Sequence, residues 1–298
     1  MPSSLELETI IVSHGAEELL RRCLRSLSEH PPEGRMRVTV VDSGSPDSTP
    51  DMVEREFPFV RLIREENIGF SAANNIALRN TEAGAVLLLN PDTEVYAGTL
   101  DVALARLQSN ARIGMVGVKL VTETGALDHA CKRSFPTPLS ALAHFTGLGS
   151  AEEASNALTQ YRATQLDEDE PGEVDAINGA FMLCRAEAVR DVGLLDEGYW
   201  LYMEDLDWCH RFWDAGWKVF YEPAGTALHV KGGSSEGRRA MRQEIAFHRG
   251  MGRFYRRFDA PEHNVLVNAA VYAGIGAKLA ASLTITARRR LTASAYLC

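Results

Sequence analysis

The chain is short of what nucleic-acid binders and secreted scaffolds need. Lysine and arginine number 31 against 40 acidic residues, a formal net charge of −9. Gripping a phosphate backbone takes clustered basic residues to displace counterions, so nucleic acid is not an expected partner. Cysteine is scarce: Cys23, Cys131, Cys184, Cys209 and Cys298 are odd in number, spread out and form no Cys-x-x-Cys pair. That spacing excludes a disulfide framework and a cysteine zinc site, and the thiols read as reduced. Met1 to Glu8 lacks a basic start followed by an apolar stretch, so a secretory signal is not expected and the protein should work in the cytoplasm. No internal repeat is visible. What is present, 298 residues with 45% hydrophobic and 24% charged content, suits one large α/β core or two small ones.

The first part of the chain alternates β-rich runs with helical patterns. Thr9 to Ser13, Arg37 to Asp42, Val60 to Ile63, Ala85 to Leu89 and Gly114 to Val118 read as strands. Between them, Leu19, Leu20, Cys23, Leu24 and Leu27 mark a helix, and further helices are expected from Ser71 to Asn80 and Leu100 to Gln108. This is the rhythm of a parallel sheet, whose ligands sit at the carboxyl ends of the strands. From about 136 to 172 the pattern gives way to prolines, glycines and the acidic Asp167 to Glu170, which reads as an insertion. Order returns with the apolar run Ala180 to Cys184, a helix from about Met203 to Asp214 and a strand from Lys218 to Tyr221. The segment Val265 to Ala287, followed by Arg288-Arg-Arg290, is about long enough to cross a bilayer, for which ~20 apolar residues suffice. Lys278 at its middle would cost on the order of 3 kcal/mol in a full span. An in-plane helix with its arginines on anionic headgroups fits better, against the plainer alternative of a core helix with a basic tail.

Five stretches carry candidate chemistry. Val40 to Thr49 is a buried strand ending on Asp42 and entering a turn of Ser, Gly and Pro. Asp42 there could accept from the N3–H of a uracil or thymine ring, although turn and cap chemistry explains the same residues. In Asn67 to Asn75, Gly69 permits close approach, and Asn74 and Asn75 could meet a base or phosphate or serve as caps. Asn90-Pro-Asp92 follows an apolar strand and can aim oxygen ligands at one hard cation, or simply turn the chain. Glu204, Asp205 and Asp207 place three carboxylates at a helix start, where the helix dipole favours acids and Asp207 can pair with Arg211 at i, i+4. Trp200, Tyr202, Trp208, Phe212, Trp213 and Trp217 surround them with rings on which sugars bind, and crowding can raise a carboxyl pKa toward that of a general base. His229, before a Gly-rich turn, could complete a metal site begun by Asp92, or be an ordinary core histidine.

In this order the segments resemble the family-two inverting glycosyltransferases of GT-A fold, and within them the bacterial rhamnosyltransferases of cell-wall and O-antigen assembly. The carrying residues are Val41 to Ser45, Asn67 to Phe70, Asn90-Pro-Asp92, Asn178-Gly-Ala180, Met203 to Asp207 and Ala215-Gly-Trp217, spanning about Thr9 to Arg257. The resemblance implies an α/β fold with a Rossmann-like mixed, mainly parallel sheet flanked by helices and a carboxyl-terminal helical extension. Residues 1–260 would be the transferase domain and 261–298 a helical segment able to meet the membrane. It implies that Asp42, with Ser13 and Ser43, reads a pyrimidine nucleotide. Asn67, Gly69, Asn74, Asn90, Asp92, Gly179, Ala180 and Arg211 would complete the donor site, Arg211 either facing the diphosphate or pairing with Asp207. Asp205 would be the catalytic base, with Glu204 and Asp207 as neighbours that orient it or the acceptor, and Asp92 with His229 would hold Mg2+ or Mn2+. The donor would be a dTDP- or UDP-sugar, dTDP-rhamnose by likeness, and the acceptor a glycan or polyprenyl-diphosphate-linked saccharide. A homodimer peripheral on the inner membrane face is the expected setting. Two rivals stand: a binding protein without turnover, and a sugar nucleotidyltransferase. Against the second, the loop Ser13 to Glu18 carries two acids and no Lys or Arg for a triphosphate.

Overall fold

The computed structural model describes residues 6–135, 166–230 and 241–295, the last eight of these by backbone alone. The strands are β1 Leu7–Ser13, β2 Met36–Ser43, β3 Arg61–Glu65, β4 Ala85–Leu89, β5 Thr93–Val95, β6 Ile113–Val121, β7 Lys132–Arg133, β8 Gly172–Glu173, β9 Ala176–Ile177, β10 Phe181–Arg185 and β11 Lys218–His229. The helices are α1 Glu17–Glu29, α2 Thr49–Glu56, α3 Phe70–Leu78, α4 Thr99–Ser109, α5 Ala186–Val192, α6 Glu204–Asp214, α7 Met241–Phe258 and α8 Val265–Ala295.

One large sheet runs β3-β2-β1-β4-β10-β6-β11-β5, with β8 also on β11. Parallel pairing links β3, β2, β1 and β4, and again β6 and β11. Every residue of β1 and of β4 is buried, as expected of strands covered by helices on both faces. α1 supplies one cover through Leu20, Cys23, Leu24 and Leu27, spaced as one helical stripe. The mixed, mainly parallel sheet that the resemblance implies is the one observed.

β10 runs antiparallel between β4 and β6. It starts where β4 stops, since Asn90 N–H donates to the Ala180 carbonyl over 3.1 Å, and therefore returns in the opposite direction. This turns Asn178-Gly-Ala180 toward the carboxyl ends of β1, β2 and β4.

Residues 136–165 of the expected insertion lie outside the described residues. Its acidic end is described: Lys119 pairs with Glu168 and Asp169, and Gly172 enters β8. Four cysteines, Cys23, Cys131, Cys184 and Cys209, are free and buried. α7, α5 and α2 were not anticipated. α7 packs across the start of α6, its Gly250 so close that a Cβ would stand 3.0 Å from the Tyr202 carbonyl. α8 is the one described helix long and apolar enough to cross a membrane, with Val265, Leu266, Tyr272 and Ile285 exposed. A small cluster of Tyr255, Val271 and Ile275 joins it to α7.

Candidate active site

The ends of β1 and β2 form the first wall. Their register sets Ser13 beside Asp42, and both are buried. Asp42 Oδ2 accepts from Ser45 N–H at 3.1 Å, which closes the Asp-Ser-Gly-Ser turn. Among the described residues its other oxygen, Oδ1, and the Ser13 hydroxyl have no hydrogen-bond partner. A buried polar atom without a partner costs about 1–3 kcal/mol, so two side by side at a strand end are an invitation to a polar ligand. Ser43 is spent more fully: its hydroxyl reaches the Glu66 carbonyl and its own carbonyl accepts from the His14 ring.

The stretch Asn67 to Phe70 joins this wall to the next. Asn67 backbone lies against Gly44, and Gly69 has φ of 97° in front of the Trp200 ring, where a Cβ would come within 2.5 Å of Trp200 Cδ1. Only glycine meets both demands. Phe70 N–H then donates to the Trp200 carbonyl over 2.7 Å. Asn74, expected to touch the donor, instead donates to the Phe70 carbonyl of its own helix at 2.9 Å. Asn75 ties α3 to Leu195 and Glu197. Both amides are buried, and Arg79 at the end of the helix adds a second bond to Glu197.

Asp205 lies across from Asn90, with β10's leading turn between them. Its Oδ2 accepts from Arg133 and from Gly179 N–H, and Oδ1 accepts from Leu206 N–H at 2.8 Å. A carboxylate offers about four lone-pair sites, so these three leave one for an incoming hydroxyl. Tyr202 and Met203, with φ of 71° and 73°, precede Glu204. Two successive non-glycine residues in the left-handed region cost of order 1–3 kcal/mol each and gather at functional sites. α7, through Gly250, holds them there. Glu204 is buried, and its Oε2 has no partner among the described residues. Burial first, then the Asp205 charge, push its carboxyl up to about 8. A raised carboxyl pKa favours the protonated form, which can donate a hydrogen bond.

Asp207 and Arg211 bond to each other, one of the two arrangements expected of Arg211. Asp207 is fully buried and accepts from Arg211 Nε at 2.7 Å, Arg257 Nη1 at 3.0 Å and the Tyr199 hydroxyl at 3.2 Å. Arg211 also donates to the Val192 and Leu194 carbonyls. The pair, on α6 beyond Asp205, braces the helix against α7 and the 192–199 segment. The aromatic residues divide in the same way. Trp208 and Phe212 are in the core, and Trp213 and Trp217 donate to Val174, Asp175 and Asp191. Trp200 stays at the site, with its ring under Arg242 at 4.0 Å and its Nε1 without a partner.

β5 and β11 bring Asp92 and His229 together. The register sets His229 opposite Thr93, Val230 N–H donates to the Asp92 carbonyl over 2.9 Å, and His229 Nε2 stands 3.5 Å from Asp92 Oδ1. Two ligands about 2.1 Å from one cation are roughly 3–3.5 Å apart, so this pair fits a shared divalent ion. Among the described residues no group of three such side chains gathers, and the remaining ligands would come from diphosphate and water. Sequence reasoning missed Asp128, which bonds His229, and Arg133, which bonds Asp205. Both come from stretches without a motif, and only pairing over long sequence distances brings them in.

Residues 9–189 match the model of Glycosyl transferase family 2. The chain belongs to that family. This glycosyltransferase is 31% identical over 244 residues to an N-acetylglucosaminyl-diphospho-decaprenol L-rhamnosyltransferase of Mycobacterium tuberculosis, covering 77% of each chain. It is 25% identical to the rhamnosyltransferase WbbL of Escherichia coli, over 74% of this chain and 81% of that one. Among solved structures, a mannosyltransferase of Pyrobaculum calidifontis in complex with GDP-Man and Mn2+ superimposes with a TM-score of 0.59 at 19% identity. It covers 99% of this chain and 81% of that one. The last likeness bears on fold, which is GT-A.

Proposed function

We propose that this glycosyltransferase moves L-rhamnose from dTDP-rhamnose to a hydroxyl of N-acetylglucosamine on a polyprenyl diphosphate, with inversion at the anomeric carbon. The choice of sugar and acceptor follows the named rhamnosyltransferase relatives. The observation that carries the chemistry is the partnering of Asp205: fixed by three hydrogen bonds, it keeps one lone pair toward the cleft. Asp205 takes the proton of the acceptor hydroxyl as that oxygen attacks the anomeric carbon from the face opposite the nucleotide. Arg133 and Gly179 N–H hold the carboxylate in line. Asp42 Oδ1 accepts the pyrimidine N3–H beside Ser13, with Ser43, Asn67, Gly69, Asn90 and Ala180 lining the donor path. Asp92 and His229 would hold Mg2+ or Mn2+, which when bound neutralises charge on the departing diphosphate. Glu204, next to Asp205 at the start of α6, orients the base or the acceptor.

Residues 1–260 form the transferase unit in this reading, and 261–298 the segment that brings it to lipid. The exposed apolar residues of α8 form the kind of surface that marks a membrane or partner contact, and the acceptor's polyprenyl tail would lie there, on the cytoplasmic side. The test is nucleoside diphosphate release from a panel of dTDP- and UDP-sugars with Mg2+ or Mn2+, with and without polyprenyl-diphosphate N-acetylglucosamine. Acceptor-dependent release from dTDP-rhamnose is expected. Donor binding with no release under any condition would favour a binding role, and acceptor-dependent release from another donor alone would replace the sugar.

A further inference from the structure

His229 has two ring nitrogens and two acidic neighbours. Nε2 faces Asp92 at 3.5 Å, while Nδ1 lies 2.8 Å from Asp128 Oδ2. Asp128 is fully buried, and its position is fixed twice over. Its N–H donates to the Leu120 carbonyl over 2.8 Å, and its Oδ1 accepts from Ala130 N–H at 2.9 Å. Asp128 thus sits beside the end of β6, next to β11, and can accept from only one ring nitrogen of His229. A carboxylate bonded to Nδ1–H leaves the lone pair on Nε2, raises its basicity and locks the ring plane, which is how a metal-binding imidazole is commonly set.

We propose that Asp128 is the positioning residue that orients His229 toward a divalent cation shared with Asp92. This rests on the reading of Asp92 and His229 as the cation's ligands. A buried Asp128 serving packing alone would affect stability without coupling to His229 in metal binding.

The experiment titrates Mn2+ into the full-length protein and follows the electron paramagnetic resonance signal of the free ion, with a melting curve for each variant. The variants are Asp128→Ala, Asp128→Asn, His229→Ala, Asp92→Asn and the double variant Asp128→Ala with His229→Ala. Losing such a partner weakens metal binding by about 10–100-fold, and that loss is expected for Asp128→Ala. Asp128→Asn, whose amide oxygen can still accept from Nδ1–H, should recover part of it. In the His229→Ala background Asp128→Ala should add nothing, because its effect passes through the ring. Wild-type affinity in Asp128→Ala beside weakened His229→Ala, or an equal loss in both backgrounds, overturns the proposal. Unchanged binding in both His229→Ala and Asp92→Asn overturns instead the assignment of the cation site. If Asp128→Ala does not fold, Asp128→Asn alone and combined with His229→Ala carries the same comparison.

Discussion

The rim at the ends of β1 and β2 and the seam between α6 and α7 are both rich in buried polar groups, yet they use them differently. On the rim, Ser13 Oγ and Asp42 Oδ1 are buried without a hydrogen-bond partner among the described residues. In the seam, Asp207 gathers Arg211, Arg257 and Tyr199, and Asp196 gathers Arg253 and Arg257. A group whose hydrogen-bonding capacity is used up inside the protein supports the fold. One left open at a strand end is available to a ligand, and the open oxygen costs stability until a ligand meets it. Asp205 lies between the two kinds, two residues before Asp207 in the same helix, with most but not all of its capacity used.

This contrast can be broken by substitution. Asp205→Asn should lower kcat by about 10²–10⁴, the worth of a positioned general base, with donor KM and melting temperature close to wild type; steady-state kinetics beside a melt read both. Asp207→Ala should do the reverse. It leaves the mostly buried Arg211 without its carboxylate, while Arg257 is 42% exposed and can turn to water; breaking a buried pair costs up to about 3–5 kcal/mol, read by denaturant unfolding. Asp42→Ala should weaken dTDP binding by the worth of a hydrogen bond to a charged group, about 1.5–3 kcal/mol, with folding stability unchanged or slightly raised; calorimetric titration measures it.

The smallest effect concerns pH. Glu204 has a folded pKa raised above its ordinary value of 4.5, to about 8, so the folded state holds a proton that the unfolded state has released. Its stabilising contribution is complete below about 4.5 and is lost as pH rises through 8. Glu204→Gln should therefore flatten the fall in stability between those limits, and urea midpoints across that range would show it.

What the sequence disclosed follows the same division. Asp42, Asn90-Pro-Asp92 and Glu204-Asp205 were legible because each is a short polar stretch at a strand end or helix start, where local physics restricts the choice of residues. Asp207 and Arg211 were ambiguous because the i, i+4 spacing that permits their bond says nothing of which way the pair faces. Asp128 and Arg133 were illegible: their partners, His229 and Asp205, are 101 and 72 residues away. α7 was legible in principle, since Phe247, Met251, Phe254, Tyr255 and Phe258 recur at helical spacing. The direction of β10 could not be read from a run buried on both faces, which has no periodicity to exploit.

The most direct test is a crystal structure with dTDP and Mn2+. The account predicts the thymine N3 against Asp42 Oδ1 near Ser13, the cation between Asp92 and His229, and Asp207 and Arg211 still bonded to each other and touching no nucleotide. A thymine ring seated away from Asp42, or a diphosphate held by Arg211, would contradict it.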